Sequence, residues 1–216
     1  MLGGQPEELF FHIVAILHSP AYREENAGAL RQDWPRVPLP EDVKTLRAGA
    51  KLGRRIAALL DPETPVPGVT DLQPAPALKG LAELTVSKKG IPADLSLDAC
   101  WGRTQKTATG EIVMPGPGKT TPGTRGEGFL DIYLNLTTRW KDIPEETWKY
   151  TLGGYQVLKK WLSYREQSIL HRPLTQEEAE QFTHHTRRIT VLLAENLALD
   201  AHYKACVNPV GLITIA

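Results

Sequence analysis

WKYTLGGYQVLKKWLSYR, running from Trp148 to Arg165, sets a Gly-Gly break and four cations among aromatics and leucines. Gly153 and Gly154 accept positive φ and let a neighbouring backbone come close. Beyond them Tyr155, Leu158 and Leu162 recur at i, i+3 and i+7, the stripe of an amphipathic helix from Gly154 to about Gln167, with Trp161 at its flank. Lys159, Lys160 and Arg165 fall on other parts of that helix surface. The stretch reads as a turn and then a helix that buries one face. Its cations either form a solvated basic edge or reach for a phosphate backbone.

The sequence on both sides of this stretch is organised around more helix. Towards the C-terminus, Thr175-Gln176-Glu177-Glu178 has the residues of a capping box for a helix reaching about Leu197, with Phe182, Ile189, Leu192 and Leu193 inward. A last short helix holds Tyr203. Just before the stretch, Pro144 opens a short helix through Tyr150. At the other end of the chain, Pro6, Glu7 and Glu8 suit a first turn, and Leu9, Phe10, Ile13, Val14, Ile16 and Leu17 make an apolar helix ending near His18. Ser19-Pro20 starts a second helix to about Leu30, and the prolines of WPRVPLP (34–40) hold the chain extended. A third helix buries Val43, Leu46, Ile56, Leu59 and Leu60, with Gly49 and Gly53 allowing close packing. Pro62, Pro65, Pro67, Pro74 and Pro76 then exclude helix and central strand.

Between the helical ends, 81–87, 95–101, 111–114 and 129–136 have strand composition, and the last alternates polar and apolar residues. The loop PGPGKTTPGTRGEG (115–128) is too rich in Gly and Pro for regular structure. The expected fold is therefore α+β: a helical scaffold from both chain ends, with a small, mostly antiparallel sheet and long loops inserted in the middle. The expected segments are helical 1–60, a Pro-rich linker 61–78, sheet and loops 79–141, helical 142–207 and a tail 208–216.

Among 216 residues, Lys+Arg and Asp+Glu both number 25, so no global field draws the chain to nucleic acid or an anionic membrane. Cys100 and Cys206 show no CxxC or Cys/His ligand spacing, which points to reduced thiols in the cytoplasm and no metal. No run is long and apolar enough to cross a bilayer, and no signal peptide opens the chain. Gly118-Lys119-Thr120 lacks the glycine a P-loop needs at 113, where Val113 stands. Asn208-Pro209 begins like the Asn-Pro-Pro-aromatic motif of amino-methyltransferases, but Val210 and Gly211 break it. His184 and His185 are adjacent on a helix, diverge, and read as exposed. No catalytic residue is identified.

Cations remain. Between Arg103 and Lys141, six of them (Arg103, Lys106, Lys119, Arg125, Arg139, Lys141) face Glu111, Glu127 and Asp131, a local excess of three. Residues 1–40 are acidic by two. Local excess on loops is what DNA readers use, because lysine and arginine release counterions from phosphate and arginine forks onto guanine. A solvated surface explains the same count. Trp148, Tyr150, Tyr155, Trp161 and Tyr164 read chiefly as core, with a base-stacking platform as the alternative.

FHIVAILHSPAYR (11–23), WPRVPLP (34–40), the run from Asp131 to Trp140 leading to Trp148, YTLGGYQVLKKWLSYR (150–165) and Arg172-Pro173-Leu174-Thr175 together resemble the C-terminal specificity region of Type ISP restriction-modification enzymes. The resemblance runs from about Leu9 to about Tyr203 and is weakest over 61–128. It implies a target-recognition domain for double-stranded DNA, without a catalytic site, cut from a chain that also carries nuclease, ATPase and adenine methyltransferase modules. S-adenosylmethionine, ATP and Mg would be bound by those other modules, and the methyltransferase domain would be this chain's partner. On that reading Arg103, Lys106, Lys119, Arg125, Arg139 and Lys141 contact phosphate or bases, with Lys159, Lys160 and Arg165 as backbone anchors. A helical docking module that couples domains of the parent without reading DNA is the alternative.

Overall fold

The computed structural model describes residues 5–87, 90–101, 105–106, 112–113 and 120–207. It falls into two compact units, Met1–Val66 with Val191–Ala216, and Pro67–Thr190. The fold is α+β, and among the described residues no helix is long and apolar enough to cross a membrane.

The first unit is helical. Pro6 opens α1 (Pro6–His18), where Glu8 closes a capping box by accepting the Gln5 N–H. Ser19 caps α2 (Pro20–Glu25) by accepting the Tyr22 N–H, and its own hydroxyl donates to Asp200 at 2.6 Å. The second helix ends at Glu25, short of Leu30, and a 3-10 turn at Ala29–Arg31 follows. Asp42 caps α3 (Val43–Leu60), which packs on α1 through two glycines. A Cβ on Gly53 would stand 1.7 Å from the Phe11 carbonyl oxygen. Leu46, Ile56 and Leu59 are buried as expected, while Val43 is half-buried and Leu60 exposed. Leu9 and Phe10 are likewise exposed on α1.

The helix expected to reach Leu197 stops at Ala194, as α7 (Gln176–Ala194), and contributes to both units. The final helix α8 (Asn196–Val207) is longer than expected. Ile16, Tyr22, Tyr203 and Cys206 form a core cluster, with the two tyrosine rings edge-on at 5.4 Å. WPRVPLP forms no helix or strand; Trp34 is 86 % exposed, and Arg36 pairs with Asp33, just before the segment.

The second unit is built on an antiparallel sheet in the order β1-β6-β5-β4. Its strands are β1 (Glu83–Val86), β4 (Thr120–Pro122), β5 (Phe129–Tyr133) and β6 (Thr138–Pro144). A separate pair, β2 (Gln105–Lys106) and β3 (Ile112–Val113), lies between them in sequence. Three expectations need correction. The chain over 95–101 forms no strand, and Cys100 within it has φ 56; its backbone bonds include those to the Leu134 carbonyl and from the Gln167 and Leu174 N–H groups. β5 ends at Tyr133, because Asn135 turns inward, accepts the Thr137 and Thr138 N–H groups, and donates to Asp94 and Ser96 carbonyls. Thr120–Pro122, inside the Gly/Pro-rich loop, pairs with β5 as an edge strand, where a proline costs no ladder bond.

β6, the seven-residue strand between β1 and β5, has no counterpart in the strands read from sequence. Its Trp140 is fully buried, stacks on Phe182 of α7 at 4.0 Å, and donates to the Ala179 carbonyl. A bulge sets Lys141 and Asp142 of β6 opposite Asp131 of β5, with Asp142 at φ 55. Asp131 accepts the Asp142 N–H at 3.0 Å. The Asp142 carboxylate in turn holds Thr124 and the Arg125 N–H, fixing the loop before β5.

α4 (Glu145–Lys149) follows directly, as expected. The stretch quoted first is then a hairpin before it is a helix: β7 (Thr151–Leu152) and β8 (Tyr155–Gln156) flank Gly153 and Gly154, and α5 spans only Val157–Ser163. A short α6 (Gln167–Leu170) follows. Both glycines have positive φ, 57 and 82, with open space around them, so they serve the turn and not close packing. Leu158 and Leu162 are buried; Tyr155 lies on the hairpin, outside their stripe. His184 and His185 are half-buried rather than exposed, and burial, with Arg188 nearby, pushes the His185 imidazole down to about 4.

Candidate nucleic-acid interface

The second unit sorts its cations into two kinds. On the sheet they are paired. Arg139 donates Nε–H to Asp131 at 2.8 Å and lies over the Tyr133 ring, while the Asp131 carboxylate is almost wholly buried. Lys141 faces Glu83 across the β1–β6 ladder, 3.1 Å away. Arg125 donates to the Lys79 carbonyl and covers Phe129. Strand register sets Lys141 opposite Glu83 and Arg139 opposite Tyr133, whereas Arg125 lies in the turn before β5.

On α5 and its hairpin the cations have no carboxylate partner among the described residues. Lys159 is exposed and makes no ion pair among the described residues. The Lys160 ammonium sits over two rings, 4.9 Å from the Tyr155 centroid and 4.5 Å from that of Tyr164. Both rings are open to solvent, at 61 % and 58 %. Tyr155, Gln156, Lys159, Lys160 and Ser163 line a cleft of about 310 Å³ floored by Trp101. Trp101 is itself fixed by donating to the Tyr133 carbonyl and by edge contact with Trp148.

Arg165 belongs to a third class. Its guanidinium stacks on Trp161 at 4.1 Å, where burial lowers its pKa and the nearby Glu178 opposes that shift. It acts as a core-edge cation beside the Arg172–Glu178 pair. Arg103 and Lys119 lie outside the described residues, and so do Gly118 and the Asn208-Pro209 pair. Lys106 lies on β2, where its backbone pairs with Ile112.

Of the nine cations read from sequence, the fold therefore gathers Lys159 and Lys160 at one open cleft and commits Arg125, Arg139 and Lys141 to the sheet. It also adds what sequence reasoning set aside. Tyr155 and Tyr164 are exposed rings flanking a lysine, whereas Trp148 is buried and Trp161 half-buried. The signal that separates them is the Gly-Gly turn, which puts Tyr155 on a hairpin. Two ammonium groups neutralise phosphate oxygens, and exposed rings accept a base or sugar face.

A profile of the Type ISP C-terminal specificity domain matches residues 3–192. Solved structures share the fold. A nuclease-deletion mutant of the Type ISP restriction-modification enzyme LlaGI, in complex with a DNA substrate mimic, is 18 % identical over 91 % of this chain, with a TM-score of 0.53. The DrdV–DNA complex is 20 % identical over 92 %, with a TM-score of 0.50. The ATP-dependent Type ISP restriction-modification enzyme LlaBIII bound to DNA is 14 % identical over 93 %, also at 0.50. This chain spans 16 %, 18 % and 12 % of those chains, respectively. No curated protein matches it.

Proposed function

The chain belongs to the Type ISP C-terminal specificity domain family, and from that premise we propose that it is the target-recognition part of a larger enzyme that binds duplex DNA. The parent would carry the adenine methyltransferase, the ATP-driven motor and the nuclease, with S-adenosylmethionine, ATP and Mg bound there. The methyltransferase domain would supply the other half of the DNA clamp.

One observation carries the reading for this chain's own residues: Lys159 and Lys160 stand at an open cleft without carboxylate partners among the described residues, Lys160 lying between the exposed rings of Tyr155 and Tyr164. We assign these lysines to the phosphate backbone. By residue type and position in the loop-rich segment, Arg103, Lys106 and Lys119 are the proposed groove contacts. Segments 1–60 and 142–207 then act as scaffold for the reading segment 79–141. The paired Arg125, Arg139 and Lys141 shape the sheet that carries the loops.

Fluorescence anisotropy of the 216-residue chain with labelled duplex, titrated over salt, tests the assignment. Replacing Lys159 and Lys160 with alanine should weaken cognate and scrambled duplexes alike and reduce the salt slope by about one per lysine. An unchanged slope in a folded double variant removes the cleft from the interface. Absence of DNA binding in the wild-type chain, joined with tight association to the rest of the parent, favours the docking module instead.

A further inference from the structure

The first unit holds a cluster that the proposed DNA-binding role does not call on. His202 and Cys206 lie four residues apart on α8, on one helix face, and α1 presents His12 to both. Their spacing corrects the reading that neither cysteine has a ligand-like neighbour. His12 Nδ1 lies 3.0 Å from His202 Nε2, and Cys206 Sγ lies 3.8 Å from the same Nε2. All three side chains are buried, and the three atoms fall within 4.8 Å of one another.

A tetrahedral ion held by imidazoles at about 2.05 Å and a thiolate at about 2.3 Å separates N from N by about 3.3 Å and N from S by about 3.6 Å. The His12–His202 N···N distance is a few tenths of an ångström shorter than this, the His202–Cys206 N···S distance a little longer, and the His12–Cys206 pair, within 4.8 Å, has to close by rotation of the Cys206 side chain. His12 Nε2–H donates to the Pro38 carbonyl at 2.9 Å, which leaves the Nδ1 lone pair pointing at the other two ligands. A backbone carbonyl bonded to the far ring nitrogen is how metal-binding histidines are oriented. Gly49 of α3 keeps the adjoining space clear, since a Cβ there would meet His202 Nε2 at 2.2 Å and His12 Nδ1 at 2.7 Å.

We propose that His12, His202 and Cys206 bind a divalent transition-metal ion of the zinc class, which ties α1 to α8. Two imidazoles and a thiolate favour such an ion over magnesium or calcium, which take oxygen ligands. Binding releases the Cys206 thiol proton to solvent and moves the His202 ring proton from Nε2 to Nδ1, leaving three lone pairs on the ion. A solvent molecule completes the fourth position.

Tag-free 216-residue protein, stripped with chelator and confirmed folded by circular dichroism, is titrated with Co²⁺. The expected result is one equivalent bound, with the visible bands of a tetrahedral site and a near-ultraviolet sulfur-to-cobalt band, both abolished by Zn²⁺. C206S should lose the sulfur band and C100S, at the other cysteine, should keep it. Zn²⁺ should also raise the melting temperature of the stripped protein. No cobalt spectrum and no zinc-dependent melting shift in the folded wild-type chain overturn the site, leaving a hydrogen-bonded histidine pair. A sulfur band that survives C206S but not C100S overturns it equally. The wild-type titration decides even where a variant fails to fold.

Discussion

Arg139 sits in the most basic part of the sequence, yet its guanidinium answers a buried carboxylate 2.8 Å away. Removing it leaves the buried Asp131 carboxylate without its cationic partner. R139A should therefore cost about 3 kcal/mol by urea denaturation, the low end for a broken buried pair because the arginine is partly in water. The variant that remains folded should keep its affinity for duplex DNA. Glu178 gives the pH dependence. Its carboxylate accepts two bonds from Arg172 and one from the Thr175 N–H, and these, Arg172 foremost, bring it from 4.5 down to about 2. The unfolded chain takes up that proton more readily. The contribution is thus complete above about pH 4.5, shrinks as pH falls, and is gone once pH passes below about 2. Stability of the wild type should drop across that window more steeply than that of E178Q. Chemistry of this kind was only half legible in the sequence: the capping box Thr175–Glu178 is a local pattern, whereas Arg139–Asp131 needs two strands in register.

Elements were legible where their cause is local. Ser19-Pro20 and Thr175 mark helix starts through their own side chains, and both do so in the fold. β6 was missed because Trp140 and Ile143 show their buried pattern only once the bulge at Lys141–Asp142 is allowed for. The quoted stretch misled for a related reason: Tyr155 fits a helical stripe by spacing, but two residues at positive φ turn the chain into a hairpin first. Replacing either Gly153 or Gly154 with alanine should cost about 1 to 2 kcal/mol from backbone conformation alone, since nothing stands near either Cβ position. G53A meets the opposite situation, a backbone oxygen at 1.7 Å, and should cost about 3 kcal/mol or more as α1 and α3 are forced apart. Thermal melts of the three variants should rank them in that order.

For the whole molecule, neutrality in the totals conceals a division of labour: acids neutralise the sheet, and the open lysines sit on α5. Counting charges along the chain located the excess in the middle, because a count carries no register. The first unit is assembled from residues far apart in sequence, with His12 bonded to His202 across 190 positions. A chain ending before Asn196 should lose cooperative melting of that unit, because Ile16 and Tyr22 would lose Tyr203 and Cys206 from their cluster. The same arrangement sets a timetable during synthesis. At about 5 to 20 residues per second, α1 leaves the ribosome on the order of ten to forty seconds before α8 is made. Throughout that wait the apolar edge of α1 and α3 lacks the helix that covers it, so this unit closes only after the whole of the second unit's sequence has been made.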